Sequence, residues 1–286
     1  MKNAANKIFT LILLVVFFVG LSVLLYPSVS QYWNSKVQSR AVLDYDRMMQ
    51  AMSTEDFADE LEKAYEYNRK LAELRFPMLD YRPLTPLYRG AADVISTGMM
   101  GYVSIDKLQV EIPIYHGCDD VVLNSAVGHF EGTSLPVGGE STHSVMMAHR
   151  GLPHARLFTD LDKMQIGDTF NINILGEVLT YEVVQIKVTE PTEIEDLQIV
   201  EGEDYCTLVT CTPYGINSHR LLVQGKRIET VNKKTLYVTS EAYLIDRIIV
   251  TPMVAMPILF VLIVYVTFKP VKKKVKLDIN EEDTLE

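Results

Sequence analysis

The chain has 286 residues, enough for one medium-sized domain with attachments, and it shows no internal repeat. Its formal net charge of -10 argues against a nucleic-acid polyanion as partner and suits basic or neutral ligands better. Three cysteines, Cys118, Cys206 and Cys211, are too few and too irregularly spaced for a disulfide framework, and an odd thiol in an exported chain points to a free reactive one.

Lys2 and Lys7 precede an uninterrupted apolar run from Ile8 to Leu25, long enough to cross a bilayer as a helix. A cleaved signal peptide is the competing reading, since Ser28-Val29-Ser30 is a tolerable small-residue site. The run exceeds most signal-peptide apolar regions, which favours a retained anchor. From Gln31 to Leu74 the chain is rich in Ala, Leu, Glu, Lys and Arg and reads as two helices with a break near Met52 to Thr54. Ser53 and Thr54 are N-cap residues, with Glu55 and Asp56 in the first turn. Phe57, Leu61, Ala64, Asn68 and Leu71 then recur at helical spacing. This stripe is expected to pack on the following domain, with a partner-binding helix as the alternative. Between Arg75 and Gly90 the prolines Pro77, Pro83 and Pro86 break the helix and alternate with Phe76, Tyr81 and Tyr88, so the segment reads as a linker on its residues alone.

Short β-rich segments bounded by Gly, Pro, Asp or Asn come next: Tyr102–Ile105, Val110–Tyr115, Ser144–Ala148, Thr169–Ile174, Val178–Val188, Tyr205–Thr210 and Leu221–Arg227. Ala155–Met164 reads as one short helical stretch among them. Strands this regular predict a mainly β domain, closed or nearly closed into a barrel. Glu229–Tyr243 then links to a second apolar run, Ile248–Phe268, which contains Pro252 and Pro257 but no charge until Lys269. The cluster Lys272, Lys273, Lys274 and Lys276 is expected to stay on the cytoplasmic side, and the acidic tail Glu281–Glu286 to be disordered.

The stretch from Tyr205 to Arg227 carries the chemistry. Two strands flank a loop containing Pro213, Gly215, Asn217 and Ser218, so they pair as a hairpin in which the thiol of Cys211 faces the guanidinium of Arg220. A cysteine on a strand is ordinarily a core residue and an arginine beside one a solvated charge, so the pair alone is not decisive. Cys206 and Cys211 lie five positions apart, so on one strand they point to opposite faces and cannot form a disulfide. A thiol near pKa ~8.5 is a few per cent ionised at neutral pH and needs a cationic neighbour. Composition does not choose among His116, His129, His143, His149, His154 and His219. A zinc set built from Cys206, Cys211, His149 and His154 fails on spacing, and no Walker loop, dinucleotide fingerprint or His-Glu-x-x-His helix is present, so neither metal nor cofactor is expected.

The string Thr207-Leu208-Val209-Thr210-Cys211, followed by Arg220 and preceded far upstream by Met146-Met147-Ala148-His149-Arg150-Gly151, resembles the sortases, membrane-anchored cysteine transpeptidases of Gram-positive bacteria. Gly101–Ile105, Pro113–Gly117, Val127–Pro136 and Thr212–Arg220 extend the resemblance to the pilus-building class C subfamily, over roughly Thr97–Ile228. It implies an eight-stranded β-barrel preceded by N-terminal helices and flanked by two transmembrane helices. The division expected is 1–7 cytoplasmic, 8–27 membrane helix, 28–96 helical segment and lid, 97–229 catalytic barrel, 230–247 linker, 248–268 second membrane helix and 269–286 cytoplasmic tail.

The same resemblance implies roles. Cys211 would attack the Thr carbonyl of a Leu-Pro-X-Thr-Gly-like sorting signal, Arg220 would stabilise the developing oxyanion, and His149 would act as general acid and then base. Thr210 and Leu208 would contact substrate, and the acceptor would be the lysine amine of a pilin. The partners implied are thus pilin or surface proteins and the lipid bilayer. No Asp or Glu is marked as a third member. In class C sortases a lid at the position of Arg75–Gly90 carries Asp-Pro-aromatic; here the nearest equivalent is Asp80-Tyr81, without the proline. Transfer of the acyl group to water or to peptidoglycan, and a non-catalytic module that binds envelope proteins, are the alternatives.

Overall fold

The structure, a computed structural model, describes residues 2–93, 97–230, 259–261 and 265. It divides into two compact units, Met1–Leu24 with Thr239–Glu286, and Leu25–Val238. In the first, the described residues are helical, and the rings of Phe18 and Phe260 lie 6.4 Å apart. The second apolar run, Ile248–Phe268, lies outside the described residues except for the helical Leu259–Val261 and Tyr265, and so do most of the linker and the lysine-rich and acidic tail.

The helix α1 (Lys2–Ala51) contains the whole apolar run Ile8–Leu25 and carries Pro27 within it. Among the described residues it is the one helix long and apolar enough to cross a membrane. It ends where Ser53 takes over as a cap: the Asp56 N–H donates to Ser53 Oγ at 3.1 Å, and Glu55 and Asp56 sit against the positive end of α2 (Thr54–Ala72). The break expected near Met52 to Thr54 is therefore a capped junction. Ala64, Tyr67 and Leu71 of α2 are fully buried against the barrel. Asn68, between them, receives the N–H of Leu135 on Oδ1 at 2.7 Å and donates from Nδ2 to the Leu135 carbonyl at 3.0 Å. That reciprocal pair fixes α2 along its axis, because a slip would leave two buried polar groups unpaired. The end of α1 docks separately, through Val42, Tyr45 and Met49 against Met99 and Tyr102.

Between α2 and the barrel the chain forms two short helices, α3 (Pro77–Asp80) and α4 (Thr85–Gly90), each with proline in its first turn, where the missing N–H costs nothing.

Eight strands then close a barrel: β1 (Met99–Ile105), β2 (Val110–His116), β3 (Val127–His129), β4 (Thr142–Met147), β5 (Thr169–Ile174), β6 (Glu177–Thr189), β7 (Asp204–Thr212) and β8 (His219–Ile228). Their order around the barrel is β1-β2-β3-β4-β7-β8-β6-β5. Neighbours are antiparallel apart from β2 with β3 and β4 with β7. Seven of the eight coincide with the segments read from sequence. The eighth, β3, is three residues long, too short to show a period of two. A further helix, α5 (Asp120–Leu123), leads into it.

The helical stretch expected at Ala155–Met164 is a correction. It is a run of turns with a single 3-10 turn at Leu161–Lys163. Leu157 has φ 40, which a right-handed helix does not accept, and Ala155, Leu157, Phe158, Leu161 and Met164 still reach the core from this looped backbone. The interior of the barrel is dense: Phe170 and Tyr181 stack with ring centroids 5.6 Å apart. A Cβ at Gly225 would come within 2.6 Å of the Phe170 ring, so the strand beside them has to be a glycine there.

Candidate active site

The pairing of β7 with its two neighbours sets the site. On one side, β4 runs parallel to it with Met147 opposite Val209, and beyond the strand end Ala148 N–H still donates to the Val209 carbonyl at 3.1 Å. Thr210 Oγ1 returns a hydrogen bond to the Ala148 carbonyl at 2.8 Å. Continued by two residues, that register sets His149 beside Cys211. On the other side β8 is antiparallel, with Cys211 directly opposite Arg220. Neighbouring strands are about 4.8 Å apart, so the backbone of Cys211 is flanked by that of Arg220 on β8 and by that of His149 just past the end of β4.

Side-chain alternation gives this end of the sheet its shape. Val145 and Met147 on β4, Val209 and Cys211 on β7, and Leu222 and Arg220 on β8 share the outward face. Val145, Val209 and Leu222 form a buried apolar cluster there with Leu197, and Met78, Phe130 and Met147 pack against it. Cys211 therefore stands at the end of an apolar floor. Met78 belongs to α3, and the Gln198 side-chain amide lies 3.7 Å from its sulfur.

The three thiols differ in surroundings. Cys206 is completely buried inside the barrel, and loss of solvent pushes its pKa well above that of a free thiol. Burial, with Asp119 and Glu131 nearby, pushes Cys118 up to about 12. Cys211 is half-buried at the strand end. Because Cys206 and Cys211 face opposite sides of β7, they cannot share a metal ion.

The histidines sort in the same way. Burial lowers the His129 pKa to about 3, and its Nε2 donates to the Ser134 carbonyl at 2.8 Å. His143 is likewise lowered by burial and lies between the Gln198 carbonyl and Thr207 Oγ1, each at 2.8 Å. His116 faces the carbonyls of Gly98, Tyr88 and Ala91, His154 that of Asn124, and His219 the Glu190 carboxylate at 3.3 Å. His149 is half-buried at the site.

Arg220 Nη1 donates to the carbonyls of Asn217 and His219 at 3.2 and 3.1 Å, and among the described residues no carboxylate pairs with it. These two bonds tether the guanidinium to the base of the β7–β8 loop, whose turn is closed by the Ile216 and Asn217 N–H groups on the Pro213 carbonyl.

Several expected residues are placed elsewhere. Leu208 and Thr210 point into the barrel and are almost wholly buried, so the structure does not bring them onto the outer floor; Thr210 instead braces the end of β4. Asp80 is exposed at the end of α3, and the Tyr81 ring packs over Gly132, where an added Cβ would lie 2.7 Å from the ring. Tyr81 also lines a cavity of about 490 Å³ with Tyr88, Arg89, Cys118, Phe130 and Glu131, to which Cys211, His149 and Arg220 contribute nothing.

Two residues that sequence reasoning passed over belong to the site. Met78 covers the floor. Arg150 is largely buried, donates to Asp162 Oδ2 at 2.6 Å and to Thr212 Oγ1 at 3.3 Å, and lies over the Tyr214 ring. It thus ties the residue after His149 to the residue after Cys211. Its position next to His149 was the available signal; nothing in the local pattern marks Met78.

Comparison with known proteins bears on the fold that carries this site. The sortase domain family matches residues 103–228. The chain is 26% identical over 131 residues to sortase D of Bacillus subtilis, a match that covers 45% of this chain and 63% of that relative. Among solved structures it is similar to sortase C1 of Streptococcus agalactiae, at 46% identity and a TM-score of 0.63, over 66% of this chain and 98% of the other. A sortase C of Streptococcus pneumoniae matches at 41% identity and a TM-score of 0.59, covering 66% and 97% of the two chains. The sortase C of Clostridium perfringens, described with the C-terminal cell wall sorting motif, matches at 40% identity and a TM-score of 0.58, covering 67% and 99%.

Proposed function

This chain belongs to the sortase family, with class C sortases as its structural relatives, and from that premise we propose that it is a membrane-anchored cysteine transpeptidase that joins pilin subunits. The observation that carries the reading is Cys211 at the end of an apolar floor, with Arg220 opposite it on β8 and His149 two residues past the end of β4.

The sorting signal lies along the floor, its apolar residues over Val145, Val209 and Leu222 and its Thr carbonyl at Cys211. The thiolate sulfur attacks that carbonyl carbon, and the electron pair moves to the oxygen. Arg220 meets the developing oxyanion with a guanidinium that stays charged and offers donors in a fixed fork. As the tetrahedral species collapses, the C–N bond to glycine breaks and His149 gives its proton to the departing amine, leaving a thioester. A lysine amine of a second subunit then attacks the thioester carbonyl, His149 takes the proton, and the sulfur leaves as thiolate with an isopeptide bond formed. Arg150 is a positioning residue, holding the two strand exits at fixed separation.

The segment 75–90 is a lid in this account. It acts through Met78, which rests on the floor that the sorting signal needs, while Asp80 and Tyr81 flank it. Ile8–Pro27 anchors the chain, and the second apolar run supplies a further span that leaves both termini cytoplasmic.

The test incubates the detergent-solubilised full chain with a Leu-Pro-X-Thr-Gly peptide, with and without a lysine-bearing pilin domain, and follows products by mass spectrometry. An isopeptide-linked product that requires the acceptor supports the proposal. Hydrolysed peptide alone, whatever the acceptor, marks a peptidase, and an intact peptide bound without turnover marks a binding module.

A further inference from the structure

The second half of α1 has two unlike faces. One is docked: Asn34 Nδ2 donates to the His154 carbonyl at 2.7 Å, Gln31 Nε2 to the Pro153 carbonyl at 3.4 Å, and Gln38 Nε2 to the Ser125 carbonyl at 2.7 Å, before Tyr45 enters the core. The other carries Tyr26, Val29, Trp33 and Val37, spaced i, i+3, i+7 and i+11, so they form one stripe. Their exposures are 57%, 59%, 67% and 50%. The docking bonds on the opposite face hold this stripe away from the barrel.

We propose that this stripe lies in the headgroup layer of a lipid bilayer and holds the loop Gly151–His154, and with it the catalytic end of the barrel, at the membrane surface. The occupant follows from position and composition. An apolar bilayer core of about 30 Å takes about 20 helical residues, which from Ile8 is used up at Pro27. Trp33 follows six residues later, about 9 Å along the axis, and helical side chains lean back toward the N-terminus, which lowers its ring into the 5–8 Å or so of headgroup layer. Tyr and Trp are the side chains that favour that layer, having an apolar body and a polar edge. The exposed Arg40 follows two turns on, within reach of lipid phosphates. The stripe follows directly in sequence on the apolar run Ile8–Leu25, so a bilayer that holds that run is at hand to cover it.

Two hydrogen bonds convert this contact into placement of the site. Gln31 and Asn34, on the turns that carry the aromatic residues, hold Pro153 and His154, and His149 lies at the other end of that short loop. The chemistry so placed is that of a substrate whose scissile bond emerges at the bilayer. The lipid contact itself does not depend on the transpeptidase reading.

Trp33 is the only tryptophan in the chain, so its fluorescence reports the contact directly. The full chain is reconstituted in phosphatidylcholine–phosphatidylglycerol vesicles, and Trp33 is quenched in turn with phospholipids spin-labelled at the headgroup, at shallow and at deep acyl positions, and with aqueous iodide. The expected result is blue-shifted emission, greatest loss of intensity with headgroup and shallow labels, and weak loss with iodide. A red emission quenched by iodide and not by lipid overturns the proposal. So does a blue emission insensitive to lipid labels that varies with the protein-to-lipid ratio, because the stripe is then covered by a second copy. In the Trp33→Phe, Leu43→Trp chain the probe sits ten residues further on, at a position 39% exposed, and should be open to iodide and insensitive to lipid labels; strong lipid quenching there would contradict the depth assigned to Trp33.

Discussion

The two faces of β7 carry one thiol each and treat it in opposite ways. Inside, Cys206 shares the barrel core with Leu208, has no access to solvent and is held protonated by burial. Outside, Cys211 closes a row that contains Val209, with Arg220 opposite it on β8 and His149 two residues past the end of β4. Residue type is therefore a poor guide to reactivity on this strand. A five-residue offset, odd in a structure of period two, separates a packing group from the proposed nucleophile.

The comparison breaks most sharply by substitution of the thiols. Cys211→Ala is expected to lower acyl transfer by about 10⁴-fold or more, the scale for removing a nucleophile. Cys206→Ala should leave turnover by the folded protein close to normal. Iodoacetamide mapping of the native chain checks the same contrast: label on Cys211 before Cys206 or Cys118 is expected, and comparable labelling of Cys206 would end the distinction between the faces.

Arg220→Ala should cost about 10²- to 10³-fold in kcat, as loss of an oxyanion donor does, with binding of the peptide little changed. An unaltered kcat measured with saturating peptide would remove Arg220 from the transition state.

Burial should also show itself in the two structural imidazoles, His129 and His143. His129 binds its proton in the folded state only near pH 3, but in the unfolded chain near 6.5. Between those values the unfolded state holds more protons, so this contribution to stability is present above about pH 6.5 and is lost as pH falls toward 3. Across pH 6.5 to 5 the loss is about 1 to 2 kcal/mol for one histidine, and His143 adds in the same direction. Urea unfolding of His129→Gln at both pH values should show a smaller difference than the parent chain; an equal difference would mean His129 is not buried as a neutral ring.

The smallest effect expected is at the lid. Met78→Ala removes the side chain resting on the floor and should raise the rate of thioester formation several-fold, on the scale of 1 kcal/mol of lost contact. A rate unchanged or lowered in stopped-flow acylation would show that Met78 does not compete with the sorting signal.

Much of this was legible in the sequence. Capping chemistry at Ser53 marked the α1–α2 junction, and period-two segments marked seven strands, because both are local signals. The string ending at Cys211, with Arg220 and His149, marked the candidate nucleophile and its neighbours through family resemblance, and the pairing of β7 with β8 sets Arg220 opposite Cys211. What remained hidden depended on distant pairing. β3 is too short to carry a pattern, and Leu157 bends backward inside what reads as helix. The side chains that face the floor follow from strand parity at Cys211: Val209 qualifies, while Leu208 and Thr210, counted with the site on sequence alone, turn inward. Met78 reaches the floor only because α3 crosses the barrel, and no spacing in the chain announces that.

The most direct measurement is intact-mass analysis of the full chain after brief exposure to a Leu-Pro-X-Thr-Gly peptide and acid quench, followed by peptide mapping of any adduct. The account predicts one acyl adduct, on Cys211, that disappears when a lysine-bearing pilin domain is added and reappears there as an isopeptide. An adduct on Cys206 or Cys118, or none on the Met78→Ala chain in which the floor is uncovered, would contradict it.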